Sequence, residues 1–396
     1  MTGPDRSPGA TGPQREGRCE TTAVGKPTAK DVAREAGVSM ATAARALGGY
    51  GYVSPATREQ VLAAAVRLGY QPNDVARSMR AKTTRTIGFV GADIVNPFFA
   101  NAMRGVSDVA RQHGFDVFLT NSDERLDLEQ QAVRALLVKQ VDGIILAPTG
   151  VGDAPHLRSV VESGTPLVFI DRALADVPAD SICIDNVAAA ETAVGHLLAL
   201  GHRRIALVAE SPVTGDDARC PVTDDDEWAA RSVPDGVSER PDDRVIVPSA
   251  ARAHGYLRAH RAAGVPVDSR LARRVPRYSQ EAARDEVRRM LALPDPPTAL
   301  FASDNIMGLG TVVALREAGL TMPDDISLVT FDDLDWTAIT TPPITVIRQP
   351  VYDMGAEAAR RLLARVNGDT SPPARVELPV RLLVRGSTAR PGPRSS

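Results

Sequence analysis

The chain has 396 residues, of which 43% are hydrophobic and 24% are charged, and its formal net charge is −3. This length suffices for two or three domains with sizeable cores. The charge balance excludes a protein that is basic throughout, so any DNA-binding surface must be confined to one region.

Residues 1–26 are rich in Gly, Pro, Thr and Arg without periodicity, and we predict a disordered tail there. They lack the apolar stretch of a secretory signal, and no run of the chain is apolar over the length of a membrane span. We therefore expect a cytoplasmic protein that does not contact a membrane. Cysteines 19, 183 and 220 and the histidines lack metal-ligand spacing, so we expect neither a metal nor a cofactor.

The next segment, TAKDVAREAGVSMATAARAL from Thr28, has the pattern of two short helices. Thr28 is a predicted N-cap, with Asp31 where a capping box usually has Glu or Gln. Gly37 tolerates the left-handed turn that ends the first helix, and Ser39 can cap the second. Two helices joined in this way form a helix-turn-helix, whose second helix enters the major groove of DNA.

Positive charge is concentrated in this part of the chain. Residues 27–85 include nine basic and four acidic side chains, an excess of five positive charges. A third helix is predicted from Ser54, with Pro55 at its first position, and Asn73 can cap a short fourth helix. The charge excess favours a DNA-binding unit over the alternative, an ordinary helical hairpin.

From residue 86 onward, short β-branched runs such as TIGFVGAD, DGIILAP and PLVFIDR alternate with amphipathic segments. This alternation predicts parallel sheets covered by helices on both faces, in two lobes with a cleft between them. A last strand pair is predicted within residues 375–386. The alternation breaks at about 211–249, an acidic stretch rich in Pro and Gly. Two interpretations stay open there: a flexible acidic loop beside the cleft, or sequence of no selected function.

Charged and aromatic side chains lie where several of these predicted strands end or helices begin. Strand ends of a parallel sheet direct such groups into a crevice, where carboxylates and guanidinium groups bind hydroxyls and aromatic rings stack. The alternative for each is a helix cap or a role in packing the lobes. The candidate residues are Phe98, Phe99, Asp171, Arg172, Arg252, Tyr256 and Asp304.

The stretches DVAREAGVSMATAARAL and VSPATREQVLAAAVRLGYQPNDVARSM resemble, in order and spacing, the lactose-repressor (LacI) family of bacterial transcription regulators. The resemblance continues through IVNPFFANAMRGVSDVARQHGFDVFLTNSD and FASDNIMGLGTVVALREAGL to the closing LPVRLLVRGST. It implies an N-terminal all-α helix-turn-helix DNA-binding domain over 27–72 and a hinge helix over 73–84. An α/β body over 85–390 is then expected to have two lobes, as in periplasmic binding proteins.

The resemblance also implies roles in DNA binding for individual residues. Base-reading positions are Met40, Ala41 and Arg45. Phosphate contacts are implied for four hydroxyl side chains at the helix N-termini: Ser39, Thr42, Ser54 and Thr57. Thr28 is also included among the DNA-binding residues. Asn73 and Arg77 belong to the hinge, and Met79 takes the position of an apolar wedge that bends DNA.

The DNA-binding part of the chain departs from the family pattern at three places, so no relative's operator sequence carries over. Ala43 and Ala44 stand where the family usually has Val-Ser, which removes one hydroxyl contact. Met79 replaces the usual Leu of the wedge, and Gly48 replaces a common Asn. Glu191 stands where sugar-responsive members have Arg, which argues against a simple sugar as ligand.

Together these features predict a sequence-specific DNA-binding regulator, a repressor, which binds a palindromic double-stranded operator as a homodimer. A small polar effector, such as a sugar or a related metabolite, is expected to control it. Two alternatives stay open: a two-lobed small-molecule binding protein without effective DNA specificity, and a regulator that responds to a protein partner. An enzyme is not expected, because the sequence has no glycine-rich phosphate loop and no G-x-S-x-G elbow.

Overall fold

The structure, a computed structural model, describes residues 27–70, 83–149, 154–210, 248–275 and 277–392. The chain divides into two compact units, Met1–Lys82 and Thr83–Ser396, and the division falls within the predicted hinge. The predicted tail and the hinge positions Asn73, Arg77 and Met79 lie outside the described residues.

Residues 27–70 of the first unit form three helices: α1 (Ala29–Glu35), α2 (Met40–Gly48) and α3 (Pro55–Leu68). The predicted capping box is present, because the Thr28 side chain accepts a hydrogen bond from the backbone N–H of Asp31 and the Asp31 carboxylate accepts one from that of Thr28, at 2.9 Å. Gly37 has the left-handed backbone, at φ +60°, that ends α1.

The core of this unit consists largely of alanine. Val32, Ala43 and Val61 are fully buried at the contact of the three helices, and the other buried positions are all alanines. Because alanine is small, the helices pack closely around this core. The face of α2 that points away from this core lies at the surface.

In its described residues the second unit alternates strands and helices. Its strands are β1 (Thr86–Gly91), β2 (Asp116–Asn121), β3 (Gly143–Leu146), β4 (Leu167–Ile170), β5 (Asp180–Cys183), β6 (Ile205–Glu210), β7 (Ala272–Val275), β8 (Ala299–Ala302), β9 (Ser327–Phe331), β10 (Thr345–Arg348), β11 (Arg375–Glu377) and β12 (Arg381–Leu383). Its helices are α4 (Pro97–Gln112), α5 (Leu126–Val138), α6 (Pro155–Glu162), α7 (Asn186–Ala199), α8 (Pro248–Ala262), α9 (Gln280–Leu291), α10 (Asn305–Glu317), α11 (Asp335–Ile339) and α12 (Val351–Val366).

These strands form two six-stranded sheets, which define two lobes. Lobe 1 has the strand order β11-β5-β4-β3-β1-β2, and lobe 2 has the order β12-β10-β9-β8-β6-β7. Neighbouring strands are parallel, except that β12 runs antiparallel to β10. Helices α4 and α12 cover one face of lobe 1 and α5 and α6 the other, while α7 and α8 oppose α9 and α10 on lobe 2. The predicted α/β body with two lobes is confirmed.

Three connections cross between the lobes, after β5, β10 and β11. The last of these crossings shows that the two strands predicted within residues 375–386 do not pair with each other. Strand β11 joins β5 in lobe 1, whereas β12 joins β10 in lobe 2, so the turn between them is a crossing and not a hairpin.

The predicted insertion ends earlier than expected. Residues 211–247 lie outside the described part of the chain, but Pro248 and Ser249, which were assigned to the insertion, already belong to α8. Among the described residues, no helix is both long and apolar enough to cross a membrane.

Candidate functional site

The exposed face of α2 carries the residues predicted to read bases. Met40, Ala41 and Arg45 are all exposed, with Met40 at 51%, while Ala43 and Ala46 turn inward to the core. The three side chains therefore lie on one side of the helix, and nothing within residues 27–70 covers them.

The predicted phosphate-contacting hydroxyls lie at helix N-termini. The Ser39 hydroxyl accepts a hydrogen bond from the backbone N–H of Thr42 at 3.1 Å, and Ser54 accepts one from that of Thr57 at 3.2 Å. Within each pair the two hydroxyls are hydrogen-bonded to each other, at 2.9 Å and 2.8 Å. Helix N-termini favour anions through their free N–H groups and the helix dipole, so these positions suit DNA phosphates.

Two exposed tyrosines between α2 and α3 were not predicted as site residues. Tyr50 is 50% exposed and Tyr52 is 87% exposed. The neighbouring glycines Gly49 and Gly51 have left-handed backbones, which hold the tyrosines in a tight loop next to the end of α2. The sequence feature that could have drawn attention to Tyr50 is an aromatic residue between two glycines in a short loop.

A cavity of about 50 Å³ lies between the two lobes and brings together six of the seven residues predicted to bind the effector. These are Phe98, Phe99, Asp171, Arg172, Arg252 and Asp304. Phe98 and Phe99 come from the start of α4, with their rings edge to face and their centroids 5.1 Å apart. The cavity thus has an aromatic wall on lobe 1 and charged walls on both lobes.

Three carboxylate residues of the cavity have strained backbones just beyond strand ends. Glu124, Asp171 and Asp332 follow β2, β4 and β9, with φ of 55°, 69° and 71°. Such left-handed conformations are uncommon for residues other than glycine, and they cluster at functional sites. Their coincidence here supports a binding role for this cavity.

Arg172 is held at the lobe 1 wall by a two-point ion pair. Its Nη1 and Nη2 atoms each donate to a Glu124 carboxylate oxygen at 2.7 Å. Its Nε atom is 3.6 Å from Asp171 Oδ2, too far for a hydrogen bond, and this buried donor has no partner among the described residues. A polar ligand could accept a hydrogen bond from it.

Burial raises the pKa of several acids in the cavity. Loss of solvation raises the pKa of Asp171 to about 6, although Arg172 and Arg252 oppose the shift. Burial, with the Asp304 charge adding to it, raises the pKa of Glu210 to about 8. Burial also raises the pKa of Asp304, against hydrogen bonds that favour its charged form.

Amide side chains connect the two lobes across the cavity. Asn96 of lobe 1 donates to the Tyr278 hydroxyl at 3.1 Å and accepts from Asn305 at 3.1 Å, both on lobe 2. Asn305 also donates to Asp332 at 3.0 Å, and Gln349 donates to the same carboxylate at 2.7 Å. This network links the lobes directly, so a ligand that rearranges it changes how the lobes meet.

Arg252 lines the cavity, but most of its contacts are within lobe 2. Its Nε donates to Asn186 Oδ1 at 2.9 Å, its Nη1 donates to the carbonyl oxygen of Ser303 at 2.6 Å, and its guanidinium group lies 3.8 Å from the Phe331 ring centroid. Arg252 therefore also has the packing role that stood as the alternative.

The prediction that Tyr256 contacts the effector is wrong in this structure. Tyr256 is fully buried, its hydroxyl donates to the carbonyl oxygen of Ile205 at 2.8 Å, and its ring lies 4.6 Å from that of His260. It lies one helical turn beyond Arg252, inside lobe 2 and away from the cavity. Glu191 also lies outside the cavity, where it pairs with Arg258 at 2.7 Å.

Several lining residues were missed by sequence analysis, and three of them lie at or directly after strand ends. Glu210 ends β6, Asp332 follows β9 and Gln349 follows β10, so the strand-end argument would have found them if applied to every strand. Tyr278 lies in the loop before α9 and had no such signal. The remaining lining residues that were missed are Asn96, Glu124, Pro248, Ser249 and Asn305.

Three family models match the chain. A model of bacterial regulatory proteins, lacI family, matches residues 28–73. A model of periplasmic binding proteins and sugar binding domain of LacI family matches residues 84–219, and a periplasmic binding protein-like domain matches residues 194–388. The matches follow the two units of the structure.

Whole-length relatives agree with these models. Catabolite control protein A of Priestia megaterium is 34% identical over 362 residues, covering 91% of this chain and 99% of that protein. The HTH-type transcriptional repressor CytR of Escherichia coli (strain K12) is 32% identical over 363 residues, covering 91% and 96%. Among solved structures, a lac repressor dimer bound to operator and the anti-inducer ONPF matches with a TM-score of 0.74 at 26% identity, covering 92% of this chain and 99% of that one.

Proposed function

The chain belongs to the LacI family of bacterial regulatory proteins, and on this premise we propose how its residues bind operator DNA and an effector. The family match makes it a DNA-binding transcriptional regulator whose body takes a small molecule, and its relatives are regulators rather than enzymes. The observation that carries the assignment of residues is the inter-lobe cavity, which gathers six predicted effector contacts. Operator binding places the protein in the bacterial cytoplasm.

In the DNA-binding unit, α2 lies in the major groove with Met40, Ala41 and Arg45 against base edges. Their shared exposure on one face of α2 supports this role. Thr28 and the capping hydroxyls contact phosphates, which fix the orientation of the helix without reading sequence. The segment 73–84 forms the hinge, with Asn73 and Arg77 in it and Met79 as the apolar wedge.

The effector binds between Phe98, Phe99 and the charged walls of the cavity. Because about 50 Å³ is too small for a sugar-sized molecule, the two lobes must move apart to admit it. Arg172 and Asp304 supply polar contacts from opposite lobes, which allows one ligand to hold the lobes in one arrangement. The effector changes operator affinity only to the extent that it binds one arrangement of the lobes more tightly than another.

Two copies pair through their bodies, which presents two reading helices to a palindromic operator. Edge strand β2 of lobe 1 supports this arrangement, because Phe118 and Leu119 on it are 43% and 40% exposed. An edge strand with large exposed apolar side chains is a surface that a second subunit can cover. The solved lac repressor relative is itself a dimer on operator.

Footprinting of the purified protein on the DNA upstream of its own gene, at fixed salt, tests this function. We expect a protected palindrome that disappears when residues 1–84 are deleted. A small-molecule extract of the cells should change the concentration of protein needed for protection. Binding no tighter than to random DNA, with or without the extract, would instead favour a two-lobed binding protein without DNA specificity.

A further inference from the structure

The inter-lobe cavity has more carboxylates than cations. Five acidic side chains line it, Glu124, Asp171, Glu210, Asp304 and Asp332, against two basic ones, Arg172 and Arg252. A buried charge without a partner is costly, so each carboxylate should either have a compensating group or hold a proton until one arrives.

Three of the five carboxylates have such groups within the protein. Glu124 receives two hydrogen bonds from Arg172. Asp304 accepts from the backbone N–H groups of Ile306 and Met307, both at 2.9 Å, as the N-cap of α10. Asp332 accepts from the amides of Asn305 and Gln349. These three are accounted for by the fold.

Asp171 and Glu210 are not compensated in this way. From the described residues, neither carboxylate receives a side-chain hydrogen bond, and the nearest cation to Asp171 is the Arg172 Nε at 3.6 Å. Arg172 is already engaged by Glu124, and the hydrogen bonds of Arg252 go to Asn186 and a carbonyl oxygen. Glu210 lies near Asp304, Glu124 and the hydroxyl of Tyr278, and the cation close to it is Arg172, which Glu124 already engages through two hydrogen bonds.

A second, independent feature is an unused hydrogen-bond acceptor. Gln349 is only 6% exposed and lines the same cavity, and its Nε2 donates to Asp332, which fixes the orientation of the amide. Its Oε1 atom is buried and has no partner among the described residues. A donor on a ligand would satisfy an acceptor in this position.

We propose that the effector is a small organic cation, whose ammonium or amidinium group is bound by Asp171 and Glu210 and whose further N–H or O–H donor meets Gln349 Oε1. This inference rests on the proposed function, because it specifies the ligand of the same cleft. A cationic nitrogen supplies only donors and a positive charge, which are what the two carboxylates and the amide oxygen lack.

Proton exchange follows from the chemistry. In the free protein near pH 7, Glu210 is mostly protonated, because burial raises its pKa to about 8. A bound cation favours the carboxylate, so the Glu210 proton passes to the buffer as the cation enters. A neutral ligand gives no such release.

Matched ligand pairs test the proposal on the full chain by calorimetric titration at constant ionic strength. The pairs are D-glucosamine with D-glucose, D-galactosamine with D-galactose, and putrescine with 1,4-butanediol, and agmatine is added as an amidinium-type cation. We expect at least one cation to bind about tenfold or more tightly than its neutral partner, as a charge-assisted hydrogen bond predicts. Its binding should release protons in buffers of different ionisation enthalpy.

Two variants test whether Asp171 and Glu210 cause the preference for the cation over its neutral partner. Glu210→Gln and Asp171→Asn keep the shape of each side chain, and asparagine also tolerates the left-handed backbone of residue 171. Both should remove the preference for the cation. Glu162→Gln, an exposed glutamate at the end of α6, should keep it.

The proposal is overturned if neutral partners bind as tightly as cations, if no cation in the panel binds, or if the preference survives both cavity variants. Its failure can be told apart from failure of the proposed function. A footprint that responds to a neutral sugar leaves the regulator in place and rejects the cation. Absence of a footprint rejects the proposed operator binding, while the titrations still report on the cleft alone.

Discussion

At the scale of single residues, Arg45 offers the sharpest test of DNA reading. It is exposed on α2 beside Met40 and Ala41, and no ion pair within the described part of the first unit holds its guanidinium group. We expect Arg45→Ala to weaken operator binding by about 1–3 kcal/mol, as loss of a bidentate base contact predicts, with little effect on binding to random DNA. Competition binding at fixed salt measures the ratio.

Arg67→Ala is the matched control for Arg45→Ala. Arg67 is also an exposed arginine of the same unit, but it lies on α3 and pairs with Glu35 at 3.3 Å. Arg67→Ala should leave unchanged the ratio of the affinity for operator to the affinity for random DNA. An Arg45 variant that keeps the wild-type ratio would remove this residue from the base-reading set.

Glu210 predicts how the stability of the body depends on pH. Its pKa is raised from 4.5 to about 8 by burial, so the folded protein binds a proton here that the unfolded chain has lost. The stabilisation of the folded state by this bound proton is fully present below pH 4.5 and is lost as pH rises toward 8. In Glu210→Gln the loss disappears, which amounts to a stabilisation on the order of 5 kcal/mol above pH 8. Thermal unfolding of both proteins from pH 5 to 9, with Glu162→Gln as control, measures it; parallel curves contradict the assignment.

Sequence analysis found some of the cavity residues that follow predicted strands, and of the two argued from a helix it misplaced one. Asp171 and Asp304 could be predicted because a strand end fixes where its side chain points. Arg252 and Tyr256 share a helix face, four residues apart, but the long arginine reaches the cavity while the tyrosine hydroxyl bonds to a backbone carbonyl in lobe 2. Helical spacing gives the face of a helix and not the depth that each side chain reaches.

At the scale of elements, Asp304 at the N-terminus of α10 has two roles, in effector binding and in helix stability, that two variants can separate. The Asp304 carboxylate caps the helix and lines the cavity at the same time. We expect Asp304→Ala to cost about 0.5–2 kcal/mol of stability as a lost cap, whereas Asp304→Asn keeps most of the cap. Both should lose the effector response and keep operator binding. Unfolding curves and effector-dependent footprints measure the two effects; a normal response in the asparagine variant would show that the charge is not used.

The contact between α4 and α12 depends on glycine. A Cβ added at Gly355 would overlap the backbone carbonyl of Ala102, and one added at Gly105 would overlap that of Tyr352. We expect Gly355→Ala to destabilise the body by about 1–3 kcal/mol through overpacking. Gly195 in α7 has nothing within 4 Å of an added Cβ, so Gly195→Ala should instead stabilise by about 0.5–1 kcal/mol. Denaturant unfolding compares them, and equal effects would contradict the close helix contact.

The sequence predicted most strands because their residues are apolar and β-branched, and it missed those without this signal. Strand β7 contains Arg273 and Arg274 and lies at the edge of lobe 2, where charged residues are tolerated. The separation of β11 from β12 into different sheets also has no local signal. It depends on the crossings between lobes, which are set by the packing of distant segments.

At the scale of the whole molecule, edge strand β2 predicts how two copies associate. Phe118 and Leu119 are exposed there, and the ammonium group of Lys139 lies 5.6 Å from the Phe118 ring centroid. A palindromic operator needs two reading units, so losing the dimer should weaken operator binding even though α2 is untouched. A glutamate in place of Phe118 places a charge in the proposed subunit contact, where burial without a partner is costly.

We therefore expect Phe118→Glu to sediment as a monomer at concentrations where the wild type is a dimer, and to lose most operator protection while keeping effector binding. Ile339→Glu is the control, because Ile339 is 81% exposed on α11 of lobe 2, away from β2. Sedimentation velocity and footprinting of the same preparations measure both properties. A Phe118→Glu dimer with full operator affinity would move the subunit contact to another face of the body, whereas a monomer with full affinity would mean that one reading unit is sufficient.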